Sequence, residues 1–201
     1  MLPRGHVPLN IFEPRYLALI DDALAGDRIV GLIQPRLMQD DLESPPGKSV
    51  LLRTTGGAGR ITGFQETDDG RYLIALTGVC RFDLLREVQL AKPYRSGDVS
   101  FERYRSDLIR GFGEETVDRD NLLEVLRTYL NAQNLKADWS SITRSNTEFL
   151  VNSLSMMSPY GPEEKQALLE APDLKTRSEI LVALAKMQLA TPDDGSGSAM
   201  Q

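Results

Sequence analysis

Two apolar runs joined at Asp69-Gly70 constrain this chain most: Gly59-Arg-Ile-Thr-Gly-Phe-Gln-Glu-Thr on one side and Arg71-Tyr-Leu-Ile-Ala-Leu-Thr-Gly-Val-Cys-Arg-Phe82 on the other. Asp-Gly between alternating segments is a strong local signal for a β-hairpin. The stretch therefore commits the chain to antiparallel sheet. It holds no set of residues able to carry out a reaction, which points to recognition rather than turnover.

Around this hairpin, residues 1–105 alternate short apolar runs with turn residues. Val7–Phe12 reads as a strand that Pro8 keeps at a sheet edge or near a strand start. Glu13-Pro14 opens a helix whose stripe is Tyr16, Leu17, Ile20 and Leu24, with Gly26 as its stop. Ile29–Ile33 is an apolar strand ending at Pro35, and its pattern predicts burial on both faces. Residues 39–49 read as a loop. Val50–Thr55 is either a strand or the approach to Gly56-Gly-Ala-Gly59. The run Phe82–Leu90 extends the second hairpin strand, and Tyr94–Tyr104 is a further strand.

Residues 106–190 carry helical periodicity instead. One helix covers Asp120–Asn131, with Leu122, Leu123, Leu126, Tyr129 and Leu130 on one side. Asp138 caps a second, whose stripe takes in Trp139, Ile142, Phe149, Leu150 and Leu154. Pro162–Glu170 is a short helix. Asp173 caps the last, which carries Leu174, Ile180, Leu181, Leu184 and Met187 and ends at Pro192. Residues 191–201 read as a flexible tail. The fold class expected is α+β, divided at about residue 105, with 1–105 and 106–190 as two subdomains.

Charge follows the same division. The net charge is −6; residues 1–105 carry 14 basic and 14 acidic side chains, and residues 106–201 carry 9 and 15. A nucleic-acid-binding surface usually needs a basic excess, so no nucleic acid is expected as a partner. No apolar run is long enough to span a membrane, and the N-terminus lacks the apolar core of a signal peptide. With one cysteine, Cys80, no internal disulfide can form, and a cytoplasmic location is expected.

Chemistry-bearing motifs are sparse. The Gly56–Gly59 cluster is followed by a strand, with no Gly-Lys-Ser/Thr, so it reads as a kink or bulge rather than a phosphate loop. His6 is the one histidine, and no set of metal ligands forms around it. Cys80 lies in an alternating strand pattern that predicts a buried, inert thiol. No Gly-x-Ser-x-Gly elbow is present. Asp21-Asp22, Asp40-Asp41 and Glu163-Glu164 read as solvated faces, the last in a helix's favourable first turn. Met156-Met157-Ser-Pro-Tyr160 places two adaptable side chains and an aromatic at a helix end, where they either line a binding surface or pack the core. Arg15, Arg36 and Arg81 adjoin apolar segments and pair with acids or face a ligand. Met156, Met157, Tyr160 and Arg36 are the candidate binding residues. No catalytic residue, metal or cofactor is expected.

Four segments in order then carry a resemblance: Pro8-Leu-Asn-Ile-Phe-Glu-Pro-Arg-Tyr16, Ile29–Pro35, Gly59–Phe82, and Glu163-Glu-Lys-Gln-Ala-Leu-Leu-Glu-Ala-Pro-Asp-Leu174 with Arg177. Together they resemble the N-terminal, substrate-recognising domain of Lon ATP-dependent proteases, from about residue 2 to 188. The resemblance implies a PUA-like, partly closed β-barrel with one inserted helix, followed by a C-terminal α-helical bundle. It implies a stand-alone, non-catalytic module that binds unfolded or exposed protein segments, since the P-loop ATPase and Ser–Lys peptidase motifs of those proteases are absent from these residues. An accessory or regulatory subunit of a protease is an alternative. RNA binding is suggested by fold analogy alone and opposed by the charge balance. The family usually has a strand before the Leu-Pro-x-Gly turn, whereas this sequence starts at the turn, Met1-Leu-Pro-Arg-Gly5; either the start is misassigned or the strand is missing, and a missing strand would leave a sheet edge open to a second copy or another chain.

Overall fold

The computed structural model describes residues 1–36, 50–133 and 136–190. Its strands are β1 (His6–Ile11), β2 (Ile29–Pro35), β3 (Leu52–Glu66), β4 (Tyr72–Val88) and β5 (Ser96–Ser100). A helix α1 (Pro14–Ala25) links β1 to β2. After β5 come a 3-10 segment, Glu102–Leu108, and the helices α2 (Arg119–Ala132), α3 (Trp139–Arg144), α4 (Thr147–Met157), α5 (Pro162–Glu170) and α6 (Leu174–Ala190).

The hairpin of β3 and β4 is the spine. All pairings are antiparallel, in the order β1-β4-β3-β2, with β5 also on β4. Among the described residues this sheet is open and does not close into a barrel. The turn differs from the two-residue form that Asp69-Gly70 suggests. Thr67 N–H donates to Arg71 C=O, Gly70 N–H to Thr67 C=O, and Gly70 alone in the turn has positive φ, at 78°. A two-residue type I′ turn needs positive φ at both central positions, and Asp69 does not adopt it.

The glycine cluster lies inside β3, so Val50–Thr55 leads into a strand rather than merely up to the glycines. The register slips between Ala58 and Gly59. A Cβ at Gly78 would stand 1.9 Å from the Leu2 carbonyl oxygen, and one at Gly57 2.0 Å from that of Met1. These positions are bare because the first residues of the chain cross the sheet at contact distance.

β1 is an end strand, as Pro8 requires. Gly78 N–H donates to Gly5 C=O at 2.8 Å, and the register His6↔Thr77 continues from there. Alternation turns the backbone groups of His6, Pro8 and Asn10 away from β4, so the missing N–H of Pro8 falls on the open side. β2 is the other end strand, which corrects the expectation that it is covered on both faces. Val30 is buried, but Gly31 is exposed. Apolar content alone cannot distinguish a central strand from an edge strand packed on a helix. Here α1 covers the sheet through a cluster of Ile20, Val30, Ile61, Ile74 and Leu76. Gly26 ends α1, but at φ −114°; Arg28, at φ 60°, takes the left-handed turn instead.

Two further boundaries differ. β5 stops at Ser100, and Tyr104 enters the 3-10 segment, where it is buried. The helix expected from Asp138 through Leu154 is two helices. Asp138 caps α3, and Asn146 caps α4 by accepting from Phe149 N–H at 2.8 Å. The break turns Phe149 outward and leaves Trp139 half-buried. α2, α4, α5 and α6 share a second core that includes Leu122, Tyr129, Val151, Tyr160, Leu168 and Leu181. Asp118 and Asp173 cap α2 and α6 through Asn121 N–H and Thr176 N–H. The loop reading at 39–49, Asp40-Asp41, Pro192 and the tail 191–201 lie outside the described residues.

Candidate functional site

The sheet and the helices meet over a buried polar junction built on β4. Alternation aims Arg81 inward, where it is 2% exposed. Asp107, on the 3-10 segment, accepts from Arg81 N–H and Nε at 2.9 Å each and from Nη2 at 2.8 Å. Arg81 Nη1 donates to Leu169 C=O at 3.0 Å and to Ala171 C=O at 2.5 Å. Those carbonyls are the groups a helix C-terminus leaves without internal partners, and cations suit that end of the dipole. The guanidinium also lies 4.4 Å from the Tyr104 ring centroid.

Arg177, on α6, repeats the device. Its Nε donates to Leu168 C=O at 2.9 Å and its Nη1 to Asn152 Oδ1 at 3.0 Å. Asn152 Nδ2 then donates to Pro3 C=O at 3.1 Å, which ties α4 to the start of the chain. Burial, and next the neighbouring charge of Arg81, hold the Arg177 pKa below the usual guanidinium value. Arg4, at φ 59°, donates to Asp107 C=O and to Glu148 Oε1. Glu148 Oε2 accepts from Gly111 N–H, and Glu148 N–H donates to Glu114 Oε1, so the connector before α2 and the start of α4 interlock. Gln166 Nε2 donates to Thr55 C=O and fastens α5 to β3. The junction holds the helices in one orientation on the sheet; most of its groups bond to one another or to main chain, while Arg177 Nη2 and Gln166 Oε1 are buried without a hydrogen-bond partner among the described residues.

The four candidate binding residues do not converge. Tyr160 is buried in the helical core, where burial raises its hydroxyl pKa. Met156 is half-buried, with its sulfur against Gly5. Met157, one residue on, is exposed. Arg36 is exposed at the end of β2, its N–H donating to Leu51 C=O. The core-packing reading of the Met-Met…Tyr stretch thus holds for Tyr160, whereas Met156 packs against the start of the chain at Gly5. Of the other arginines, Arg15 pairs with Glu13 on the surface, and Arg81 pairs structurally. Cys80 is buried, its Sγ donating to Tyr104 C=O at 3.2 Å, and burial pushes the thiol up to about 11, far from a nucleophile's range. Glu163 pairs with Arg53, and Asp22 with Lys92 and Tyr94.

Exposed apolar side chains were not singled out by sequence. Phe12, Phe64 and Leu73 stand near the hairpin end of the sheet, where Phe64 meets Tyr72 edge-on at 4.9 Å. Leu108, Ile109 and Phe112 stand on the connector, where Gly111 and Gly113 have positive φ. An apolar period cannot reveal such residues, because nothing in it distinguishes a core-facing position from one that faces out.

An open antiparallel sheet joined through buried arginines to a set of helices defines an α+β domain. The chain belongs to the family of ATP-dependent protease La (LON) substrate-binding domains, whose model matches residues 1–186. It is 28% identical over 189 residues to Lon protease 2 of Myxococcus xanthus, covering 90% of this chain and 22% of that protein. It is also 28% identical over 196 residues to Lon protease 2 of Sorangium cellulosum, covering 94% and 23%. The chain thus spans under a quarter of the length of these relatives. Among solved structures it is similar to the N-terminal domain of Mycobacterium avium complex Lon protease, with a TM-score of 0.63, 17% identity and coverage of 92% of this chain and 91% of that one. A Lon N-terminal domain protein from Xanthomonas campestris gives a TM-score of 0.58 at 21% identity, with 91% of each chain covered. The fold is that of Lon N-terminal domains.

Proposed function

We propose that this chain is a non-catalytic module that recognises unfolded or exposed segments of other polypeptides. The match of a substrate-binding-domain family to residues 1–186 carries this reading. The relatives are matched over about a fifth of their length, so their proteolysis is not transferred to these residues. On this reading residues 1–105 form a PUA-like subdomain built on the open sheet and residues 106–190 a helical bundle, and the junction keeps their relative orientation fixed.

The outward Phe12, Phe64 and Leu73, and the Ile109–Phe112 group, offer apolar contact area of the kind that extended segments bury on binding. Action beside a protease, in the cytoplasm, without nucleic acid, and self-association through an uncovered strand edge complete the proposal. For that last part Pro8 is an obstacle on the β1 side, since it withholds one main-chain donor. Titration with a reduced, carboxymethylated polypeptide, followed by anisotropy, tests the reading. Saturable binding that weakens in Phe64→Ser or Phe112→Ser supports it. Absence of binding to any unfolded polypeptide at high micromolar protein overturns it.

A further inference from the structure

β2 ends the sheet without the protection that the other free edges carry. Exposed edges are normally blunted by proline, by charge or by being short. β1 has Pro8 on its open side, and β5 is five residues long with Asp98 paired to Arg86. β2 runs Ile-Val-Gly-Leu-Ile-Gln-Pro, with no charged side chain and no proline before Pro35. It pairs with β3 alone.

Two hydrogen bonds fix which of its main-chain groups face outward. Ile61 N–H donates to Arg28 C=O at 2.8 Å, and Arg36 N–H donates to Leu51 C=O at 2.6 Å. Residues 28 and 36 thus turn toward β3, and alternation between them turns the N–H and C=O groups of Ile29, Gly31 and Ile33 to the open side. No hydrogen bond from another described segment reaches these groups. They recur about 6.8 Å apart, at every second residue. Gly31, in the middle of the row, is exposed, and Pro35 ends it.

Side chains shape the two faces of this edge. Val30 and Leu32 turn into the cluster under α1. On the other face the Phe82 ring reaches across β3. It occupies the place of a Cβ on Gly56 and stands 3.3 Å from where one would sit on Gly31. A strand laid against β2 therefore meets no side chain at Gly31, and an apolar residue opposite it packs beside an aromatic ring. The chemistry that matches the edge is a second row of N–H and C=O groups at the same spacing. An extended polypeptide carries that row whatever its sequence.

We propose that β2 is the docking edge for bound polypeptide: an extended segment adds to the sheet beside Ile29, Gly31 and Ile33, with an apolar residue opposite Gly31. This deepens the polypeptide-recognition reading and rests on it, and it assigns the edge to the bound segment rather than to a second copy of this chain.

Amide hydrogen exchange followed by NMR tests the proposal on the full chain, alone and with a peptide of alternating valine and threonine carrying a lysine at each end. In the chain alone, the amides of Ile29, Gly31 and Ile33 exchange fast and those of Val30 and Leu32 slowly. Saturating peptide slows the first three at least ten-fold. Ile33→Pro removes an outward N–H and no bond to β3, a position where an edge strand tolerates proline. It should weaken peptide binding about ten-fold, equivalent to about 1.4 kcal/mol. Protection of the three amides before peptide is added shows the edge covered by this chain or by a second copy, and overturns the proposal. So does binding that leaves the three amides fast, or a folded Ile33→Pro variant that binds as the parent does. Each of these leaves polypeptide recognition standing. Failure of both this peptide and a reduced, carboxymethylated polypeptide to bind overturns both.

Discussion

Replacing Asp107 by alanine leaves the Arg81 guanidinium 2% exposed without its counter-ion. Three charge-assisted hydrogen bonds are lost, at 2.8 to 2.9 Å. Two main-chain carbonyls remain on Nη1, so the charge keeps part of its solvation. Summing each lost bond at about 1.5–3 kcal/mol overshoots, because the bonds share one carboxylate and the site relaxes. The measured cost of orphaning one partner of a buried ion pair, about 3–5 kcal/mol, is the better guide. Against a total domain stability of about 5–15 kcal/mol, that is a large fraction. Urea unfolding followed by far-UV circular dichroism should place Asp107→Ala about 4 kcal/mol below the parent. The double variant Arg81→Met, Asp107→Leu removes both charges and should recover most of that loss. A single variant within about 1 kcal/mol of the parent, or a double variant as poor as the two singles added together, would refute the claim that this pair is buried and coupled.

Other expectations come from the backbone and from Cys80. Gly78→Ala places a Cβ 1.9 Å from the Leu2 carbonyl oxygen and should cost about 2–3 kcal/mol as an overpacking change. Gly70→Ala meets nothing within 4 Å, so it should cost only the left-handed strain, about 1–2 kcal/mol, and the order of the two melting temperatures checks this. Asn146→Ala deprives Phe149 N–H of its acceptor and should lower stability by about 1 kcal/mol, whereas Asn146→Asp should not. The Cys80 thiol, raised from 9.0 to about 11 in the folded chain, stabilises the fold fully below pH 9. That contribution declines as pH rises from 9 towards 11, because the unfolded chain releases its proton first. Urea midpoints of the parent should therefore fall over this range more than those of Cys80→Ala, and native Cys80 should resist iodoacetamide until the protein unfolds.

Local order was written into the chain. Pro8 forces an edge, Pro14 and Pro162 open helices, Asp138 and Asp173 cap others, and the alternation on either side of Asp69-Gly70 sets a hairpin. Each of these acts through its own backbone or its nearest neighbours, so it is legible without knowing the fold. Family membership was legible for a similar reason, since it rests on the order of short segments. The Asn146 cap was legible in principle too, but the apolar period running past it masked the break between α3 and α4.

Tertiary structure alone decided which arginine became a buried girder and which stayed on the surface. Arg81 and Arg36 both follow apolar runs, yet Arg81 meets Asp107 and the last carbonyls of α5, which lie 26 to 90 residues away in sequence. It likewise decided that Tyr160 enters the core while Met157 faces out, and that Ser178 lines a cavity between two helices. The physical reason is range: caps, turns and alternation act over a few residues, whereas the desolvation that makes a charge or a hydroxyl matter depends on segments the chain brings together only when it folds.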